Sequence, residues 1–344
     1  MVVAILTGSV YYLDVGSAAA NKATVFPKPL PNATLAGQLN NTPFSVNVVY
    51  SNFKDAVPFW VAENQGYFKQ ANITVVGNYV QDSSLISLAL LAGRADVGIA
   101  ISSFSVFALD AKQPGSIKIF MFSSDAHNTD TYAVLVRTNS SYQSMSDLKG
   151  KKFGINSGLG ATVMSHWITG LYFNSSNATY VTLPLTSMVS ALAANQVDAV
   201  FAQSPNLNIA TTDGVARELP NSTCADVINP FPATAFAFPA EFVREHPLEA
   251  QRIVQVMNRA VAYINSHPQN SATIAANYSD TPLGVMENVT GGPKTVWRQY
   301  LLPNSTFGNA TMEQVFQHIA DMFHEEGYIN RSINVSNDMY VVGK

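Results

Sequence analysis

Charge is scarce in this 344-residue chain: only 12% of it is Asp, Glu, Lys or Arg, about half of the roughly 25% usual in globular domains. The net charge is -4 and no basic cluster is present, which excludes a surface that tracks a phosphate backbone. Nucleic acid is therefore not an expected partner. Cysteine occurs once, as Cys224, so no internal disulfide can form and the residue reads as a small buried apolar group.

Catalytic signatures are missing as well. The sequence has no G-x-S-x-G elbow, no P-loop and no H-E-x-x-H, the spacings that would position a nucleophile, a phosphate or a zinc ion. In "GLGATV" Val163 stands where a dinucleotide fingerprint carries Gly or Ala, and "YVTLP" offers no acidic residue for a ribose. His318 and His324 fall on opposite sides of a helix and cannot share a metal. His246 and His267 precede prolines and mark helix boundaries, and His166 reads as packing. No reaction, cofactor or metal is expected.

The longest apolar run, "MVVAILTGSVYYLDVG", lacks a basic flank and is shorter than the roughly 20 residues that span a bilayer. It is expected to be the outer end of an anchor or signal. The proline-rich "KATVFPKPLPNATLAGQLNNTP" then reads as an extended linker, so that residues 1–43 form an anchor-plus-linker segment.

Neutral polar residues are what the chain has instead of charge. It contains 29 Asn, and 13 of them open an N-x-[ST] triplet: Asn32, Asn40, Asn72, Asn139, Asn174, Asn177, Asn221, Asn277, Asn288, Asn304, Asn309, Asn330 and Asn334. Chance gives about four or five, so these are glycosylation candidates.

From residue 44 a strand, loop, helix rhythm sets in. "FSVNVVYSN" and "ANITVVGNYV" are β-rich, and "VPFWVAENQGYF" is helical up to Gly66. "DSSLISLALLAGRADVGIAI" predicts a helix capped by Asp82 with Leu85, Leu88 and Leu91 facing inward, ended by Gly93, then a buried strand. The grammar returns after Arg137, and "LLAGRADVGIAISS" (90–103) is echoed by "LAANQVDAVFAQSP" (192–205), with Asn195 in the place of Gly93 and Asp198 in that of Asp96. Alternating helices and strands imply mixed or parallel sheets with helices on both faces, and the echo implies two α/β lobes on one plan.

"VPFWVAENQGYFKQANITVV", "LISLALLAGRADVGIA", "DLKGKKFGINSG", "MVSALAANQVDAVFAQSP" and "FPAEFVREHPLEAQRIVQVMNRAVAYINSHP" come in the order found in extracytoplasmic solute-binding proteins of the nitrate, sulfonate, taurine and bicarbonate type, and over about residues 45 to 270 the chain resembles them. The resemblance implies a two-lobed, periplasmic-binding-protein-like type II α/β fold: lobe one from 44–133 and 237–344, lobe two from 134–236, joined by crossover strands at 131–138 and 234–242. It also implies a monomeric receptor that delivers a small anionic or zwitterionic solute to the permease of an ABC importer. One alternative is a pyrimidine-precursor binding protein of the thiamine pathway or a synthase-like enzyme of the same fold, although the synthases carry a cysteine-rich motif that this chain lacks; a glycosylated surface sensor is the other alternative.

In such sheets ligands sit beyond the carboxyl ends of strands, against helix N-termini. The loops that qualify supply Ser51, Asn52 and Phe53; Asp82 and Ser83; Ser102 and Ser103; Ser157, Gly158, Gly160 and Thr162; and Gln203 with Ser204. Asp125, His127, Asn128 and Asp130 precede the first crossover and are expected at the cleft floor. None of these loops has a Lys or Arg, and the direction faced by Arg137 is open. The helix after Pro247 (Ile253, Met257, Ala260, Ile264) and the last helix, with its Thr311/Gln314 capping box and its stripe of Val315, Phe316, Ile319 and Phe323, are expected core.

Overall fold

A computed structural model describes residues 42–51, 54–80, 84–127, 132–204, 206–284, 286, 299–307 and 309–342. Its strands are β1 (Phe44–Tyr50), β2 (Ile73–Tyr79), β3 (Val97–Ser102), β4 (Ile117–Asp125), β5 (Tyr132–Arg137), β6 (Lys152–Ile155), β7 (Thr179–Thr182), β8 (Ala199–Gln203), β9 (Ala216–Thr223), β10 (Phe231–Pro239), β11 (Gln299–Leu301), β12 (Thr306–Phe307) and β13 (Ala310–Thr311). The helices are α1 (Val57–Asn64), α2 (Tyr67–Gln70), α3 (Ser84–Leu91), α4 (Ser103–Asp110), α5 (Leu159–Gly170), α6 (Met188–Ala193), α7 (Asn206–Thr212), α8 (Cys224–Val227), α9 (Ala240–Glu245), α10 (Pro247–Ser266), α11 (Pro268–Ser279) and α12 (Met312–Glu325). One sheet has the order β11-β4-β10-β3-β1-β2 and another β7-β6-β8-β5-β9, with β12 and β13 as a hairpin. Lobe one below means the six-stranded sheet with its helices, and lobe two the five-stranded sheet with its helices.

The sequence echo is a repeat of backbone chemistry. In lobe one, Gly93 donates to the Leu90 carbonyl and Arg94 to that of Ala89; in lobe two, Asn195 donates to Leu192 and Gln196 to Ala191. Both turns need a left-handed residue, Gly93 at φ 63° and Asn195 at φ 59°, which Gly adopts freely and Asn more readily than most side chains. The aspartates that follow match too. Asp96 donates its N–H to the Asn47 carbonyl while its carboxylate accepts the Asn47 N–H at 2.8 Å, and Asp198 does the same with Lys152, the carboxylate contact being 2.9 Å. Each aspartate thus locks the entry of one strand onto its parallel neighbour.

A pH prediction follows for lobe two. Burial pushes the Asp198 carboxyl up, but the Lys152 N–H, the Tyr142 hydroxyl and the charges of Lys151 and Arg137 outweigh it, and the net shift is downward. A depressed carboxyl stabilises the fold above its unfolded pKa, and that stability is lost as pH falls through the folded value. Asp198→Ala is expected to cost about 0.5–1.5 kcal/mol by removing the hydrogen bond to the exposed Lys152 N–H. Thermal unfolding at a series of pH values checks this: Asp198→Asn should be less sensitive to acid than the wild type.

Two expectations are corrected. The strands at 131–138 and 234–242 do not cross between lobes: β5 lies wholly in the second sheet and β10 wholly in the first, so the chain passes over between Asp125 and Tyr132 and returns between Thr223 and Phe231. Nor do Leu85 and Leu88 face inward; they are 47% and 59% exposed, while Ile86 and Leu90 are buried. Five of the eight α3 residues are large and aliphatic, so spacing alone cannot choose a face. Ile86 and Leu90 win because they pack on β3, where a Cβ on Gly98 would stand 2.9 and 2.8 Å from them.

The C-terminal helices are core as expected. Ile253, Met257, Ala260 and Ile264 of α10 pack with α1 and the first sheet, and α12 starts at the Thr311–Gln314 capping box. Val315, Phe316, Ile319 and Phe323 of α12 join a hydrophobic cluster that also contains Phe104 and Ile101 of lobe one and Val134, Phe153, Trp167 and Phe201 of lobe two. One apolar core therefore runs through both lobes.

Candidate functional site

The carboxyl ends of β3, β6 and β8 and the amino ends of β5 and β10 surround a cavity of about 540 Å³. From lobe one come Asp55, Leu85, Ser102, Phe104, Ser105 and Thr234; from lobe two, Tyr132, Asn156 to Ala161, Met164, Pro184 to Thr186, Phe201 and Gln203. Cys224 and Phe231, on the returning segment, close it.

Helix starts are what the cavity has instead of charge. Ser102 is the N-cap of α4 and uses no side-chain hydrogen bond for capping. Gly158 is the N-cap of α5 at φ 117°, ψ 152°, a conformation only glycine takes without strain. Pro184 opens the 3-10 turn Leu185–Ser187 that leads into α6. In each case the first N–H groups have no partner within the helix and carry its positive dipole end. Two of the starts nearly touch: a Cβ on Gly160 would stand 3.3 Å from the Phe104 ring and 3.4 Å from Ser102 Oγ.

Across the first sheet Ser102, Thr234 and Ser123 lie side by side in register. The Ser123 hydroxyl donates to Asp55 at 2.7 Å. Thr234 is only 7% exposed and lines the cavity, while its hydroxyl is closed to solvent and has no hydrogen-bond partner among the described residues. Buried hydroxyls are nearly always paired, so Thr234 is an exception in the cavity wall. A bulge precedes this row, with Ala100 at φ 66° and a register shift in β10 at Ala235/Ala237, an irregularity that re-aims strand ends.

Of the expected residues, Ser102, Ser157, Gly158, Gly160 and Gln203 line the cavity. The hydroxyls of three others are directed elsewhere: Ser103 is buried and donates to the Pro232 carbonyl, Thr162 to Gly158 O at 3.2 Å and Ser204 to Asn208 Oδ1 at 2.6 Å. Ser103 and Thr162 serve backbone carbonyls, as helix-start hydroxyls commonly do. Ser51 is fully buried and does not line the cavity. Asp125 is buried in β4 opposite Phe231, and His127 is exposed, 3.7 Å from Asp226; neither lines the cavity. Asn52, Phe53, Asp82, Ser83, Asn128 and Asp130 lie outside the described residues. Arg137 turns to the other end of the sheet, where it donates to the Leu192 and Val197 carbonyls at 3.1 and 3.3 Å.

Sequence reasoning missed the aromatic wall, because Phe104, Tyr132, Phe201 and Phe231 look like core; the Tyr132 ring stacks on Phe201 at 5.6 Å. It also missed Asp55, the one charged side chain among the described lining residues. Beside the cavity the lobes meet in a second contact, with His166 Nδ1 of α5 3.0 Å from the Tyr328 hydroxyl beyond α12. Burial holds the His166 imidazole below its usual range and, with Glu326 and Tyr180 adding, pushes Tyr328 up to about 12. Both groups are therefore neutral at pH 7.

Two helix-flanked sheets with one cavity between their strand ends define the periplasmic-binding-protein-like class of folds. The sulfonate-binding protein SsuA of Escherichia coli superposes with a TM-score of 0.72 at 15% identity, covering 88% of this chain and 95% of that one. The Xanthomonas axonopodis alkanesulfonate-binding SsuA bound to MOPS gives 0.70 at 18%, covering 87% and 98%. A Bacillus subtilis protein assigned to aliphatic-sulfonate binding is 28% identical over 158 residues, 45% of this chain and 46% of that relative. The NMT1/THI5-like family model matches residues 54–271, and the chain belongs to that family.

Proposed function

We propose that the chain is the extracytoplasmic substrate-binding component of an ABC importer and that it captures a small organic anion or zwitterion in its interlobe cavity. The observation that carries this is the meeting of the α4 and α5 starts and the Leu185–Ser187 turn on one cavity that has no Lys, Arg or His among its described lining residues. Aligned N–H groups can hold a sulfonate or carboxylate without a cation. The volume and the aromatic wall favour an organic body over bare nitrate or bicarbonate, and Asp55 offers a place for an ammonium group. The similarity to sulfonate-binding proteins supports the same class. Binding without reaction, delivery to a membrane permease and a place outside the cytoplasm belong to this reading; among the described residues no helix is long and apolar enough to cross a membrane.

Calorimetry with alkanesulfonates, aminoalkanesulfonates, nitrate, bicarbonate and a pyrimidine tests it. Sulfonates should bind, with affinity nearly independent of salt because buried dipoles are screened little. Binding of the pyrimidine alone would overturn the sulfonate assignment, and turnover of a bound solute would overturn the receptor.

Thr234→Val gives a more local test. Removing an orphan hydroxyl relieves a burial penalty of about 1–3 kcal/mol, so the variant should unfold at a higher temperature. The hydroxyl itself is closed to the cavity, so affinity for the solute should change by less than about twofold. Thermal unfolding and calorimetry on one preparation read both effects.

A further inference from the structure

Ten of the 13 sequon asparagines fall within the described residues: Asn72, Asn139, Asn174, Asn177, Asn221, Asn277, Asn304, Asn309, Asn330 and Asn334. All ten are exposed. The protein supplies its own control, because 12 other asparagines are described and five of these, Asn156, Asn206, Asn208, Asn229 and Asn258, are only partly exposed. A composition rich in Asn, Ser and Thr would create triplets without regard to exposure, so it accounts for neither the excess nor this sorting.

Asn174 and Asn334 accept through Oδ1 from the N–H two residues on, at 3.0 and 3.2 Å, which leaves Nδ2 on the other side of the amide. None of the ten lines the cavity. Asn72 and Asn177 stand just before β2 and β7, which run parallel to β1 and β6. They therefore lie at the strand ends away from the cavity.

From the excess, the exposure and the placement together, we infer that this protein is N-glycosylated at these sequons and that the sugar coat leaves the cavity mouth clear. The donor is an oligosaccharide activated on a lipid phosphate. Asn Nδ2 forms a bond to the anomeric carbon, the bond from that carbon to the phosphate oxygen breaks, the lipid phosphate leaves with the electron pair, and the amide gives up one proton. Such a coat also suits a chain with only 12% charged residues, since it hydrates a surface that has few charges to do so.

The test is glycopeptide mapping and intact mass of the full chain made by its own host, with a known glycoprotein from the same cells as control. Glycan is expected on most of the ten sites. Thr74→Val and Thr179→Val, which keep Asn72 and Asn177 but destroy their triplets, should each remove one glycan unit from the mass. Calorimetry on the unglycosylated chain should give the same affinity within about twofold. Bare peptides at all ten sites beside a glycosylated control would overturn the modification; a larger change in affinity would overturn the clear mouth. Neither outcome depends on which solute is bound.

Discussion

Phe104→Ala is expected to remove about 3–5 kcal/mol of stability, the cost of deleting a buried aromatic ring, and to split a single unfolding transition into two. The ring is 3% exposed and occupies the second position of α4 in lobe one. It meets Trp167 of α5 in lobe two at 5.4 Å, Phe323 of α12 at 5.4 Å and Phe231 of the returning strand at 6.2 Å. Three elements from different parts of the chain thus converge on one side chain, inside the cluster that spans both sheets. A continuous core makes two α/β units melt as one; a void where Phe104 joins both sheets removes the coupling while each sheet keeps its own packing. Urea unfolding followed by Trp fluorescence and by far-UV circular dichroism decides the matter. Coincident curves for the wild type and separated curves for Phe104→Ala are expected. Coincident curves for the variant, at whatever midpoint, would mean that the lobes are coupled elsewhere, the His166–Tyr328 contact being the next to remove.

What could be read from the sequence follows from what local chemistry determines. The helix stops at Gly93 and Asn195 and the strand entries at Asp96 and Asp198 were legible because each depends on one residue's backbone conformation or one carboxylate, which the sequence writes directly. The cavity loops were legible in outline, since strand ends and helix starts are marked by Ser and Gly. Hydroxyl directions were not. Ser102 and Ser103 are adjacent, yet one reaches the cavity and the other a carbonyl of β10, and only the distant strand determines which. The face of α3 and the aromatic wall were hidden for a related reason: a side chain between two lobes is as apolar as one within a lobe. Thr234 shows the same limit from the polar side, because its lack of a partner is a property of three strands together.

Gly160→Val is expected to weaken solute binding by about 5- to 150-fold, the equivalent of the 1–3 kcal/mol that overpacking typically costs. Gly160 is where the starts of α4 and α5 come together across the cavity, and even a single Cβ there would stand 3.3 Å from Phe104 and 3.4 Å from Ser102 Oγ. Phe104 cannot retreat easily, being held by Trp167, Phe231 and Phe323. The two methyl groups of valine must therefore separate the helix starts, and an anion held between them loses the N–H groups of one side. Gly160→Ala separates this effect from helix stability. Alanine favours the helical conformation over glycine by up to about 1 kcal/mol, so this variant should unfold at the wild-type temperature or above while binding less tightly than the wild type and more tightly than Gly160→Val. Small-angle scattering supplies the geometric half of the test: in saturating solute the valine variant should keep a larger radius of gyration than the wild type. Wild-type affinity in both variants would place the anion away from the α4–α5 junction, leaving the Leu185–Ser187 turn as the helix start that holds it.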